Sequence, residues 1–236
     1  MSIYNTLKIY DVDKRFHLEF DRNGYLEECI RGKSVLHVGC SDFPITEQRI
    51  KDKNLLHLKL HNSGKEIVGI DLSEEGIGIL KKHGFNNVLV MDAENIELTR
   101  KFDVILAGDV LEHLNNPGKF FEKAISLLSP NAEVIIGVPS ALTINNFKAW
   151  FGLWEQVHCD HTFYFSPKTL SALCARYKLV PVKLVFTVQP QGACESATFV
   201  ILRKILLRVS KAMSPSFIMH FKKAEEVDRS SYVEWK

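Results

Sequence analysis

Two groups of residues in this 236-residue chain have the types and spacing that chemistry needs. The first is Asp109-Val110-Leu111-Glu112-His113, followed later by His158-Cys159-Asp160-His161. An ordinary histidine titrates near neutral pH and can take a proton from a hydroxyl, and His161 is the better candidate for this, with His113 second. Asp109, Glu112, His113 and His161 together offer two carboxylates and two imidazoles. Such a set suits a divalent ion with positions left open for substrate oxygens. In the plain alternative, Glu112 and His113 cap a helix and His158 is a surface residue. The second group consists of small or acidic residues that end short apolar runs: Gly39 and Cys40 after Val35-Leu36-His37-Val38, Asp71 after Ile67-Val68-Gly69-Ile70, Asp92 and Ala93 after Val88-Leu89-Val90-Met91, and Gly108 after Phe102-Asp103-Val104-Ile105-Leu106-Ala107. Parallel strands deliver polar groups to a ligand in this way, at their carboxyl ends. Acids at strand ends are also common turn formers, with no ligand involved.

Positioning these residues requires a regular alternation of elements. Apolar, mostly β-branched runs at 34–39, 66–70, 87–91, 102–107, 133–138, 180–188 and 197–203 read as buried strands. Between them, Pro44 to His61, Ser73 to His83, Pro117 to Ser129 and Pro167 to Tyr177 open with a proline or a serine N-cap and read as helices. Gly84 is placed to stop the second of them. The expected fold is α/β: a doubly wound, mostly parallel seven-stranded sheet with helices on both faces and a ligand at the strand carboxyl ends.

Residues 33–203 form the expected domain, with additions at each end. Residues 1–32 are polar with isolated aromatics and suit a helical cap over the ligand side. Residues 204–236 mix Ile205, Leu206, Leu207, Val209, Met213, Phe217, Ile218, Met219 and Phe221 with Lys204, Arg208, Lys211, Lys222 and Lys223. That pattern reads as a basic amphipathic helical tail, which packs on its own domain or meets an anionic membrane or a second copy of the chain. A formal net charge of +2 does not call for a nucleic-acid partner and does not exclude one. The five cysteines form no C-x-x-C pair and cannot all pair within the chain, as expected of reduced thiols in a cytoplasmic protein. No apolar run approaches the roughly 20 residues that span a bilayer.

In this order and approximate spacing, the segments ending at Gly39, Asp71, Asp92 and Gly108 resemble a class I S-adenosylmethionine (SAM)-dependent methyltransferase. The resemblance implies that SAM is bound by His37, Gly39, Cys40, Ser41, Asp71, Leu72, Asp92, Ala93 and Gly108. Asp71 would take the ribose hydroxyls, and Asp92 with the adjacent NH the adenine edge. Two positions depart from the family pattern: His37 stands where an acid is usual and Ser41 where a glycine is usual. Cys40-Ser41-Asp42-Phe43 also lacks the further glycines of a dinucleotide fingerprint, which disfavours a nicotinamide enzyme. The segments around Glu112-His113-Leu114 and His161-Thr162-Phe163-Tyr164-Phe165-Ser166-Pro167 resemble methyltransferases of bacterial surface-polysaccharide pathways. This implies O-methylation of a hydroxyl on a glycan or related small molecule. Asp109-x-x-Glu112-His113 with the distant His161 also resembles small-RNA 2′-O-methyltransferases and, in part, ubiquinone-pathway O-methyltransferases, in which Mg²⁺ or Mn²⁺ would sit on Asp109, Glu112, His113 and His161. A non-catalytic SAM-binding scaffold is the third alternative.

Overall fold

A computed structural model describes residues 17–143, 146, 152, 158–188 and 205–227. In chain order the elements are β1 (His17–Glu19), α1 (Arg22–Ile30), β2 (Ser34–Val38), α2 (Thr46–Lys51), α3 (Leu56–Ser63), β3 (Glu66–Asp71), α4 (Glu74–Lys82), β4 (Val88–Val90), β5 (Phe102–Gly108), a 3-10 turn (Leu111–His113), α5 (Pro117–Ser126), β6 (Leu128–Pro139), α6 (Pro167–Arg176), β7 (Leu179–Thr187) and β8 (Ser216–Lys223). The helix starts follow the chemistry expected of them. Ser73 accepts from the Gly76 NH at 2.9 Å, Asn116 precedes Pro117, and Ser166 forms a reciprocal capping box with Thr169 ahead of α6. The single helix expected over 44–61 is instead two, α2 and α3. Between them Lys53 takes a left-handed backbone (φ 53°), which no helix can pass through.

The strands form one sheet in the order β1-β7-β8-β6-β5-β2-β3-β4, parallel except where β8 runs against β6 and β7. Because β2 lies between β3 and β5, the chain reverses its direction of winding there. A crevice opens beyond the carboxyl ends of β2 and β5, the place where sheets of this kind bind ligands. On one face, Phe120, Phe121 and Ala124 of α5 and Leu170 and Cys174 of α6 pack with Leu36, Ile105 and Ile136. On the other, Leu26 and Ile30 of α1 and Leu56 and Leu60 of α3 cover Val35, Val104, Leu106 and Ile135.

Three expectations need correction. Among the described residues the sheet has eight strands where seven are expected: β1 and β8 are additional, and the run at 197–203 lies outside the described residues. The tail is not a basic amphipathic helix throughout. Residues 205–209 are helical, but Ser216–Lys223 is a strand inside the sheet. Its apolar period is two, placing Phe217, Met219 and Phe221 in one core and Ile218 in the other, so these side chains face the protein's own helices rather than a membrane or partner. At the N-terminus, α1 packs along a sheet face, and only its first turn reaches the crevice; residues 1–16 lie outside the described set. Among the described residues no helix is long and apolar enough to cross a membrane, and Cys29, Cys40, Cys159 and Cys174 are free thiols.

A partly buried polar chain fastens β8 to the sheet. Tyr25 Oη lies 2.8 Å from His220 Nε2, His220 Nδ1 lies 2.9 Å from Glu133 Oε2, and Lys33 Nζ donates to Glu133 Oε1 at 2.8 Å. Burial alone would raise the Glu133 pKa, but the hydrogen bonds from His220 and Lys33 outweigh it and lower the value from 4.5 to about 2. A carboxylate held down in this way contributes stability above its unfolded pKa and loses it as pH falls through the folded one. Wild-type protein is therefore expected to lose about 3 kcal/mol more than Glu133→Gln between pH 4.5 and pH 2. Urea titrations across that window check this, and parallel pH profiles would refute it.

Candidate active site

At the switch point β2 gives way to Gly39, whose NH and that of Cys40 both donate to the Ile70 carbonyl, at 2.9 and 3.2 Å. Gly39 has φ 74°, and a Cβ there would lie 2.5 Å from Val110 Cγ2, so position 39 requires glycine for both its backbone and its space. Asp71 ends β3 and organises the turn from across the crevice. Its Oδ2 accepts from the Ser41 NH at 2.8 Å and its Oδ1 from the Ser73 NH at 3.0 Å. Each carboxylate oxygen has two lone pairs, so both can still accept from a ligand.

Ser41, standing where the family pattern has glycine, is fully buried and points away from the crevice toward α4. A Cβ on Gly76 would lie 2.4 Å from its Oγ, so a glycine on α4 makes the room that the serine takes up. The substitution leaves the ligand space clear.

The crevice is a cleft of about 1150 Å³. Asp71, Leu72, Met91, Asp92 and Ala93 line one end, Gly39, Gly108, Asp109 and Val110 the floor, and His113, His158 and His161 the other end. Asp92 shapes its own turn by accepting from the Glu94 NH at 2.8 Å. Of the residues expected to hold a nucleoside, Gly39, Asp71, Leu72, Asp92, Ala93 and Gly108 line this cleft. His37 and Cys40 line a smaller chamber of about 380 Å³ that adjoins it, and Ser41 lines neither.

At the far end the rings of His113 and His161 lie edge to face with centroids 4.7 Å apart, and His158 is 5.2 Å from His161. Burial, together with His113 and His158, lowers the His161 pKa from its usual value. The loop carrying His161 is pinned by Thr162, whose NH donates to the Glu112 carbonyl at 2.7 Å and whose hydroxyl reaches the carbonyls of Glu112 and Leu114. Phe163 and Tyr164 are partly exposed beside it, while Trp150, Phe151 and Trp154 lie outside the described residues.

Ligand atoms of Glu112, His113 and His161 come within 4.8 Å of one another. The Glu112 carboxyl is buried with no hydrogen-bond partner on either oxygen among the described residues, and burial followed by the charge of Asp109 pushes its pKa up to about 8. Asp109 is not part of this group. Its carboxylate pairs with the buried guanidinium of Arg22 at 3.1 Å, on a left-handed backbone (φ 56°) that turns it toward α1. The four-residue metal set is thereby reduced to three. Arg22 and Thr162 carry no local sequence signal, because their partners are far away along the chain.

Residues 14–184 match the family described as Methyltransferase domain. The chain belongs to the methyltransferase domain family. This methyltransferase is 28% identical over 123 residues to the ubiquinone biosynthesis O-methyltransferase of Bradyrhizobium diazoefficiens, a match covering 50% of this chain and 44% of that protein. It is 30% identical over 153 residues to the enzyme of the same name from Coxiella burnetii, covering 61% and 58%. The chain thus spans about half the length of the curated relatives it matches. Among solved structures it resembles the N-methyltransferase NodS from Bradyrhizobium japonicum in complex with S-adenosylhomocysteine (TM-score 0.52, 16% identity, covering 86% of this chain and 84% of NodS). It also resembles the small RNA methyltransferase HEN1 (TM-score 0.56, 18% identity, covering 91% and 26%). These likenesses establish the fold, that of class I SAM-dependent methyltransferases. The relatives named are ubiquinone-biosynthesis enzymes, so the family is shown without the surface-polysaccharide pathway that the motifs resemble.

Proposed function

We propose that this methyltransferase moves a methyl group from SAM to a hydroxyl oxygen of a small molecule, with a sugar or glycan intermediate as the first acceptor to try. The observation that carries the proposal is that one cleft has a nucleoside-type end, Asp71 with Asp92, and a proton-accepting end, His113 with His161. Gly39 and the Asp71 carboxylate fit a ribose approaching the turn closely. SAM supplies a sulfonium-activated methyl group to an attacking oxygen. In this reading His161 removes the proton from that oxygen, with the His113 ring packed edge-on against it and the Thr162 contacts holding the loop. The names of the curated relatives support an oxygen acceptor.

A metal-assisted variant is favoured by one observation, the buried Glu112 carboxylate with two partnerless oxygens beside two imidazoles. Glu112, His113 and His161 would hold a Mg²⁺ or Mn²⁺ ion, which lowers the pKa of a bound hydroxyl. Equilibrium dialysis is expected to retain Mn²⁺ on the wild type and not on Glu112→Gln. No retention by the wild type, with turnover intact in chelator, would remove the ion from the reaction.

The test of function is transfer of labelled methyl from SAM to a panel of nucleotide sugars, dihydric phenols and short RNA. Incorporation into a small-molecule hydroxyl is expected. Labelling of RNA alone would reassign the acceptor as a 2′-hydroxyl, and SAM binding without transfer to any acceptor would favour the scaffold alternative.

A further inference from the structure

The loop that carries His161 holds a second group of ligand atoms, separate from Glu112, His113 and His161. The His161 NH donates to the His158 carbonyl at 3.0 Å and closes residues 158–161 into a turn. In a strand, consecutive side chains point to opposite faces. In this turn those of His158, Cys159 and Asp160 converge, with one ligand atom from each within 4.8 Å of the other two. His158 Nδ1 lies 3.8 Å from Asp160 Oδ2, and the Cys159 thiol donates to Asp160 Oδ1 at 3.4 Å. Ligand atoms around a tetrahedral zinc ion stand about 3.3–3.6 Å apart, because bonds to nitrogen, oxygen and sulfur are about 2.0–2.3 Å long. Two of the separations are therefore close to those of a loaded site before an ion draws the side chains in.

The placement of the thiol is unusual. Cys40 and Cys174 are buried, as free thiols commonly are, whereas Cys159 is exposed, with an imidazole and a carboxylate beside it. Core packing does not account for that position, but coordination does. Thiolate with imidazole and carboxylate suits Zn²⁺, whereas the sulfur-free set of Glu112, His113 and His161 suits a harder ion. The turn is also fixed at one end, since the Thr162 NH and hydroxyl bind the Glu112 and Leu114 carbonyls directly after it. Ligands presented by a loop already held in place lose less freedom on binding.

We propose that His158, Cys159 and Asp160 bind a zinc ion at the rim of the cleft, with the fourth position left to water. On binding, sulfur forms a bond to zinc, the thiol proton passes to solvent and water leaves the ion's hydration shell, with no electron transferred. The three residues line the cleft beside His113 and His161, so the loaded ion stands where the acceptor enters, and zinc inhibits by competing with the acceptor. The competition rests on the acceptor reading above; the site itself does not.

Cobalt(II) is the probe, because a thiolate ligand gives it a charge-transfer absorption that nitrogen and oxygen ligands do not. Reduced wild-type protein is expected to develop that absorption with one equivalent of Co²⁺ and to lose it when Zn²⁺ is added. Cys159→Ser is expected to abolish it, and His158→Ala to weaken Co²⁺ binding by at least about tenfold. Both positions are exposed, so neither change disturbs the core. Glu112→Gln is expected to keep the absorption, which separates this ion from one held by Glu112, His113 and His161. No absorption in wild type, its persistence in Cys159→Ser or its loss in Glu112→Gln would overturn the site. In the methyl-transfer assay, Zn²⁺ is expected to raise the apparent KM for the acceptor at unchanged kcat in wild type and not in Cys159→Ser. Equal inhibition of both would overturn the competition. If no acceptor is methylated at all, the acceptor reading falls, and the cobalt titration still decides the site.

Discussion

The His161→Ala variant is expected to turn over at least about a hundredfold more slowly than wild type, with its affinity for S-adenosylhomocysteine unchanged. His161 is preferred to His113 because it is the more enclosed of the two, and its lowered pKa keeps it unprotonated, ready to accept a proton at neutral pH. In the proposed reading the acceptor lies beside His161 and the nucleoside beside Asp71 and Asp92, residues that line the same cleft, so the loss of His161 should appear in kcat and not in nucleoside binding. Single-turnover rates with labelled SAM check the first part and titration the second. A rate close to wild type in folded protein would remove His161 from the chemistry. His113→Ala, at an exposed ring packed edge-on against His161, is expected to cost less.

Asp71→Ala should weaken nucleoside binding by about a hundredfold or more, since a carboxylate facing two ribose hydroxyls makes two charge-assisted hydrogen bonds. The same carboxylate also holds the NH groups of Ser41 and Ser73, so the variant loses part of its turn as well as a ligand contact. Asp71→Asn separates the two effects. It keeps one acceptor oxygen for the turn and gives up the charge, and it should melt nearer to wild type than Asp71→Ala while still binding poorly. Titration of S-adenosylhomocysteine together with thermal melts measures both. Unchanged affinity in Asp71→Ala would mean that the nucleoside does not lie along β3, and the cofactor assignment would fail.

What could be read from the sequence was local. Gly39, Asp71, Asp92 and Gly108 each close an apolar run, and a run followed by a glycine or an acid carries its strand and its strand end in a few adjacent residues. What could not be read depends on partners brought together only by the sheet. The pairing of Asp109 with Arg22 joins residues 87 positions apart in the chain, so the sequence shows Asp109 only beside Glu112, as one more acid of a metal-like set. Ser41 looked like a lost glycine because its compensation, Gly76, is on another element. In the tail, lysines and apolar residues follow one another in a way that fits either period. The strand wins because both of its faces find a core.

The place of β8 in the sheet has a consequence for how the protein is made. Strands β2 to β6 can pair as the chain emerges from the ribosome, but β7 is joined to them only through β8, and β1 only through β7. The chain's earliest described strand therefore waits on its latest one. A nascent chain halted between residues 139 and 216 presents the open edge of β6, its backbone from Val134 to Pro139 lacking the strand that pairs with it. Such an edge is a template for pairing with another chain, so release from the ribosome and burial of this strand must follow each other closely for the protein to escape aggregation.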